Sequence, residues 1–167
     1  DEVPVLAFDA EADNGSDIGV TSVKVELEET VTTNSQDITD YIDEVVVMLD
    51  GEVVGSADAE DFTESSDRYS KSIALDDCAV IDAGETGEFT IGISALSGLD
   101  SGDVDNDAWD VEIDSVRFED GDGVTSTETP AADAIDQAFD MDLFASANNV
   151  ELKVALTESD EINLAHV

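Results

Sequence analysis

The stretch from Asp82 to Ala95, Asp-Ala-Gly-Glu-Thr-Gly-Glu-Phe-Thr-Ile-Gly-Ile-Ser-Ala, constrains this chain more than any other. Gly84 and Gly87 mark a turn, and beyond it Phe89, Ile91, Ile93 and Ala95 fall on every second residue. That is the period of a β-strand; an α-helix would repeat its apolar residues at intervals of three and four. Thr90 and Ser94, with Gly92 between them, occupy the other face. One side of this strand is therefore packed, and the other meets solvent or a close backbone neighbour. An antiparallel sheet covered on one face follows.

The same alternation recurs along the chain. Leu6, Phe8, Ala10 and Ala12 share a face, as do Val23, Val25 and Leu27, then Ile73 and Leu75, then Trp109, Val111 and Ile113. Val45–Leu49 is a continuous apolar run suited to a strand buried on both faces, and Asp50-Gly51 after it is a strong hairpin signal, with Val53 opening the return strand. Within Ala108–Phe118 the inward phase switches to Val116 and Phe118, which predicts a bulge near Asp114 or Ser115. Two stretches read as helical. Ser35 can cap a turn that places Ile38, Tyr41 and Ile42 together, and Thr129-Pro130 can begin a short helix with Ile135, Ala138 and Phe139 on one face. Ala57 to Asp67 reads as an acidic loop. The expected fold is all-β, an antiparallel β-sandwich of Ig-like or jelly-roll type with one or two short helical turns. Residues 1–156 are expected to form a single sandwich domain with acidic loop insertions, and residues 157–167 an extended C-terminal tail.

The charge sets the surface chemistry. Asp and Glu number 44 against 5 Lys and Arg, a formal net charge of −39. Size scaling gives a folded area of roughly 8,000 Å², so net charges sit about 14 Å apart, already beyond the ~8 Å Debye length at physiological salt. Repulsion between neighbours is modest, adds over the whole molecule, and is removed by molar salt. An acid-dominated surface with few Lys and a core of Val, Ile and Ala resembles proteins of salt-loving microbes. Nucleic acid is disfavoured as a partner, because Lys24, Arg68, Lys71, Arg117 and Lys153 are scattered singly and form no basic footprint. Anionic membrane surfaces are disfavoured for the same reason, and no apolar run approaches a membrane span. Cations are the natural counter-ligands. Cys78 is the sole cysteine and follows Asp76 and Asp77, which oppose a thiolate; it is expected to be a buried structural residue. Because the chain opens directly into a strand at Val3, it reads as a mature or excised segment of an exported protein.

The order of features resembles the Ig-like β-sandwich modules of prokaryotic surface, S-layer-like and filament proteins, Patescibacteria among them. The residues that carry the resemblance are an opening strand (Val5–Ala12), a Val-Thr-Ser-Val-Lys-Val strand (Val20–Val25), a short helical turn, a Val-Val-Val-Met-Leu-Asp-Gly hairpin (Val45–Gly51) and an Ile-Asp-Ala-Gly-Glu-Thr-Gly-Glu-Phe-Thr strand (Ile81–Thr90). The likeness covers Val3 to Phe118 and is one of pattern. It implies a structural or adhesive role at the cell surface, without catalysis.

Candidate sites are few. Asp103, Asp105 and Asp107, with Asp100 before them and Asp114 eleven positions after Asp103, follow the acidic spacing of a calcium loop, but Ala108 stands where such a loop turns on Gly. Asp100, Asp103, Asp105 and Asp107 are the candidate metal ligands, and calcium is the one cofactor they would take; none is required. Asp120-Gly121-Asp122-Gly123 reads as a solvated turn. Asn14-Gly15-Ser16 is a glycosylation sequon at Asn14. His166 is the only histidine, no carboxylate pair stands out for hydrolysis, and no phosphate-cradling loop is present. Pro4 removes a ladder donor, so Val3, Val5, Leu6 and Phe8 belong to an edge strand or a free arm. At the other end Ile162, Leu164 and Val167 read as a short strand with nothing after it to pair. These two ends are the candidate assembly elements. The expected function is a non-enzymatic extracellular structural subunit that assembles with itself by β-strand addition in a saline setting. A calcium-dependent carbohydrate- or cell-surface-binding module is the alternative.

Overall fold

A computed structural model describes residues 2–144 apart from 14, 31–36, 67, 77–78, 100–107, 132–133 and 142–143. Two antiparallel sheets pack face to face with almost no helix, which is the all-β sandwich expected. The first sheet holds four strands: β1 (Val3–Glu11) beside β8 (Thr86–Ala95), then β3 (Ile42–Leu49), then β4 (Glu52–Asp58). The second is built on two long strands, β2 (Ile18–Glu29) and β9 (Ala108–Asp120), paired along eleven positions. On the far side of β9, β10 (Thr125–Glu128) and β11 (Asp136–Asp140) lie in tandem. On the far side of β2 the tandem is β6 (Arg68–Ala74) with β7 (Val80–Ile81), and β5 (Thr63–Glu64) closes the edge against β6.

The anchor strand of the sequence is β8, and it is central, held by β1 on one side and β3 on the other. Phe89, Ile91 and Ile93 are fully buried, and Phe89 stacks on Phe8 with ring centroids 5.3 Å apart. Gly92 faces away from the core, and a Cβ there would meet the Val46 and Met48 side chains at 2.9 and 3.0 Å, so its close neighbours are side chains rather than backbone. The β3–β4 hairpin turns at Asp50-Gly51 with positive φ at both residues (52° and 86°), the backbone that a two-residue I′ turn needs. Asp50 then ties this tip to β8: its N–H donates to Glu88 O (2.9 Å) and its Oδ1 accepts from Glu88 N–H (3.0 Å). From the second sheet come Val23, Val25, Leu27, Trp109, Val111 and Ile113, all essentially without exposure.

The helical turn at Ile38–Asp40 is present as one turn of 3-10 helix, and Ile38, Tyr41 and Ile42 are buried together as expected, but the N-cap position is Asp37, without a side-chain cap bond, rather than Ser35, which lies outside the described residues. Two readings need correction. The helix expected from Thr129-Pro130 onward is strand β11, paired with β9 from Asp136↔Glu112 to Asp140↔Ala108. Ile135 and Phe139, four apart, satisfy both the helical and the strand period. Ala138 decides between them, and it is exposed. The available edge of β9 supplies backbone partners that an isolated short helix would lack. The acidic stretch Ala57 to Asp67 is likewise more than a loop, since it holds the end of β4, a 3-10 turn at Ala59–Asp61 that buries Ala59 beside Phe62, and β5.

The two open sides of the sandwich differ. On one, β4 of the first sheet meets β6 of the second: Asp76 N–H donates to Val54 O at 2.7 Å, and Gly55 lies so near Ala74 that a Cβ would stand 2.5 Å from its carbonyl oxygen. That side is zipped shut. On the other, β1 comes close to β11, and a cleft remains between β1 and the ends of β2 and β9.

Candidate functional site

Strand β1 is the edge of its sheet. Its inner row runs Leu6, Phe8, Ala10, Ala12, so the side chains shrink toward its C-terminal end. A bulge at Val5, beside Pro4, shifts its register against β8. This places the N-terminal assembly candidates in the chain's own first sheet: Val5, Leu6 and Phe8 are buried and Val3 is half-buried, opposite the β8 residues Phe89, Ile91 and Ile93. Strand β11 comes close to β1. Alongside β1 the sandwich opens into a groove of about 500 Å³ lined by Phe8, Ala10, Ala12, Ile18, Val20, Val116, Phe118, Pro130 and Ile135.

Two inserted residues shape this groove. On β9, Lys24 pairs with Ser115 and Val25 with Ile113, which leaves Asp114 as an extra residue, the bulge expected from the phase switch. On β2, Val20 pairs with Phe118 and Ser22 with Arg117, which leaves Thr21 extra; its Oγ1 donates to Arg117 O at 3.1 Å. Bulges bend a strand and raise its twist. Before them the two strands deliver Val23, Val25, Trp109, Val111 and Ile113 to the core. Beyond them they deliver Ile18, Val20, Val116 and Phe118 to the groove. The far end is held rigid by Ser16, whose Oγ accepts from Gly121 N–H (2.8 Å), and by Asp120, whose Oδ1 accepts from the N–H groups of Asp122 (3.0 Å) and Val124 (2.9 Å). The Asp120–Gly123 segment is thus a self-capped turn. The groove rim is acidic, carrying Asp9, Glu11, Asp13, Asp120 and Glu128.

The outer face of the second sheet is the other concentration of charge. Glu26, Glu28, Asp110, Glu112 and Asp136 line one small cleft there, and Arg68 pairs with Glu26 and Glu28 and lies 3.8 Å from Glu112. The hydrogen bond that Arg68 donates to Glu26 raises the Arg68 pKa above its ordinary value, with the charges of Glu28 and Glu112 adding to it. Lys24 pairs with Asp114 at 3.0 Å and Lys71 with Asp61 at 3.3 Å. Among the described residues no group of His, Cys, Asp and Glu is arranged to hold a metal ion. At the end of the sandwich near Ile38, Tyr69 donates to Asp37 Oδ1 (3.0 Å); burial first, and then that bond, push its phenol well above the usual value.

The calcium candidates Asp100, Asp103, Asp105 and Asp107, the sequon residue Asn14, Cys78, and the tail residues Ile162, Leu164 and Val167 lie outside the described residues. Sequence reasoning missed the groove-forming set Ile18, Val20, Val116, Phe118 and Ile135 as a unit. Half of its signal was visible in the phase switch of β9; the rest depended on knowing that β1 is the facing edge. No helix among the described residues is long and apolar enough to cross a membrane. Compared with known protein families, curated proteins and solved structures, the chain shows no significant match.

Proposed function

We propose that this chain is a non-enzymatic structural subunit of an extracellular filament or layer, joined to its neighbours by β-strand addition at the edge of β1. The observation that carries this reading is the unequal closure of the sandwich. One side is zipped by the Val54–Asp76 bond and the Gly55 approach, while the other presents an edge strand along an apolar groove. An edge strand is a template for another chain, and a groove beside it supplies pockets for every second side chain. β1 carries no Lys, and Pro4 with the bulge at Val5 interrupts the ladder only at its start, while Leu6 to Glu11 pair in regular register with β8. The charge of −39 fits a saline setting, in which screening lets copies approach.

Electron microscopy of the purified protein in 0.05 and 2 M NaCl tests the reading. Filaments or a lattice are expected at high salt, thinning or dissolving at low salt. Monomers under both conditions, at concentrations up to the millimolar range, would refute it.

A further inference from the structure

The groove beside β1 is selective in shape and charge. Four of the eight partly buried apolar residues that flank the core, Ala10, Ile18, Val116 and Phe118, line it. The stretch of β1 along it, Phe8 to Ala12 and on to Asp13, spans about 20 Å at ~3.3 Å per residue, room for a strand of six or seven residues. The space stands over Ala10 and Ala12, where β1 itself supplies little bulk. With carboxylates along the rim, an occupant must be extended, apolar on alternate residues and free of net negative charge.

One segment of this chain has those properties. Val150-Glu151-Leu152-Lys153-Val154-Ala155-Leu156 places Val150, Leu152, Val154 and Leu156 on one face, and Glu151 and Lys153 cancel, in a chain of net charge −39. Ile162–Val167 fits less well: it follows Glu158, Asp160 and Glu161 with no Lys or Arg among them, and its alternation ends at Leu164. The described chain ends at Phe144, which packs edge-on against Phe139 of β11 with centroids 6.3 Å apart. Phe139 pairs with Trp109, so this point is at the opposite end of β9 from the groove. From Trp109 to Val116 is about 23 Å of strand, and the six steps from Phe144 to Val150 reach about 20 Å at full extension. Return within one molecule would also run parallel to β1, whereas a segment from another copy is free to lie antiparallel, the stronger pairing.

We infer that Val150–Leu156 of a neighbouring copy adds to the edge of β1 and seats its four apolar side chains in the groove over Ala10 and Ala12. The inference rests on the assembly reading above and names the donor within it. The test uses the full chain in 1 M NaCl, with mass read by light scattering after size exclusion. L152D/V154D keeps the groove and removes the donor; A10W fills the groove and keeps the donor. L152D/V154D alone should assemble about 100-fold less tightly than the parent, from the loss of two buried aliphatic contacts, and A10W alone at least as weakly, because its filled groove no longer admits them. Mixed in equal amounts, they should form dimers that grow no further. A peptide of residues 148–158 should bind L152D/V154D and cap growth of the parent, whereas a scrambled peptide should do neither; this arm does not depend on A10W folding. If L152D/V154D assembles as well as the parent, the donor is wrong and assembly through another segment stands. If the peptide binds but the two variants never complement, the segment serves its own molecule and the neighbour assignment is overturned. A parent chain that stays monomeric throughout removes the assembly reading itself, and this inference with it.

Discussion

The closed side of the sandwich makes a sharp demand on Gly55, and replacing it with alanine tests the packing directly. A Cβ at this position would stand 2.5 Å from Ala74 O and 2.8 Å from Leu75 Cδ2. Reaching an ordinary contact near 3.4 Å requires β4 and β6 to part by about 0.9 Å. The neighbouring Asp76 N–H to Val54 O bond, now 2.7 Å, would lengthen to about 3.6 Å and cease to be a hydrogen bond. Overpacking costs about 1–3 kcal/mol and the lost bond about 1 kcal/mol, against about 0.4–1 kcal/mol recovered because alanine stiffens the unfolded chain. The net is a destabilisation of about 1.5–3 kcal/mol, or roughly 4–10 °C in Tm for a chain of this size. Gly19 is the control: its nearest atom, Glu119 O, would be 4.0 Å from a Cβ, and its φ is not positive, so Gly19→Ala should be neutral or stabilising by up to ~1 kcal/mol. Urea unfolding followed by the fluorescence of Trp109, the single and fully buried tryptophan, reads both. If the two variants shift alike, or Gly55→Ala stays within about 0.5 kcal/mol of the parent, the close approach of β4 to β6 is not as described.

Phe89→Ala, which empties the centre of the core, should cost about 3–5 kcal/mol, and Phe118→Ala at the half-exposed groove clearly less, as compared by the same urea titrations. Arg68→Met removes the one cation among Glu26, Glu28 and Glu112; because the cluster is partly exposed, the loss should be only about 1 kcal/mol in 0.1 M NaCl and should shrink in 1 M NaCl. The Tyr69 phenol is raised in the folded state by burial and its bond to Asp37, so the folded protein holds a proton that the unfolded chain releases above about pH 10. Its contribution to stability is therefore complete below that pH and declines as the pH rises above it. Tyr69→Phe should flatten this alkaline loss in melts taken between pH 9 and 11.

The long strands were legible because burial on one face imprints a period of two. β8, β2, the β3–β4 hairpin and β9 follow from Phe89, Val23, Asp50-Gly51 and Trp109, and even the bulge at Asp114 leaves its trace in the change of phase. The short strands were not. All four residues of β10, Thr125–Glu128, are exposed, so nothing in their hydrophobicity marks them; they are ordered by the ladder that β9 offers. β11 misleads because Ile135 and Phe139 fit two periods. The pairing of β1 with β8, some eighty residues away, is invisible in pattern, since any antiparallel neighbour would satisfy the same alternation. The groove inherits this difficulty: each of its walls reads as ordinary strand, and only the pairing brings them together.

The two bulges give this fold an unusual kind of mutational sensitivity. In a regular ladder, inserting or deleting one residue flips everything beyond it, a change that a packed sheet cannot absorb. Here Thr21 and Asp114 are such insertions already in place, and each separates a stretch that serves the core from one that serves the groove. Removing Asp114 would make the β9 ladder regular, with Ile113, Val116 and Phe118 all still facing inward, and would take out the local bend and extra twist beside the groove. The curvature of the groove wall can therefore be changed by single-residue deletions at two positions without reversing the face of any other side chain. Thr21 and Asp114 are, in effect, two points at which the length of a long strand can change while core and groove keep their lining.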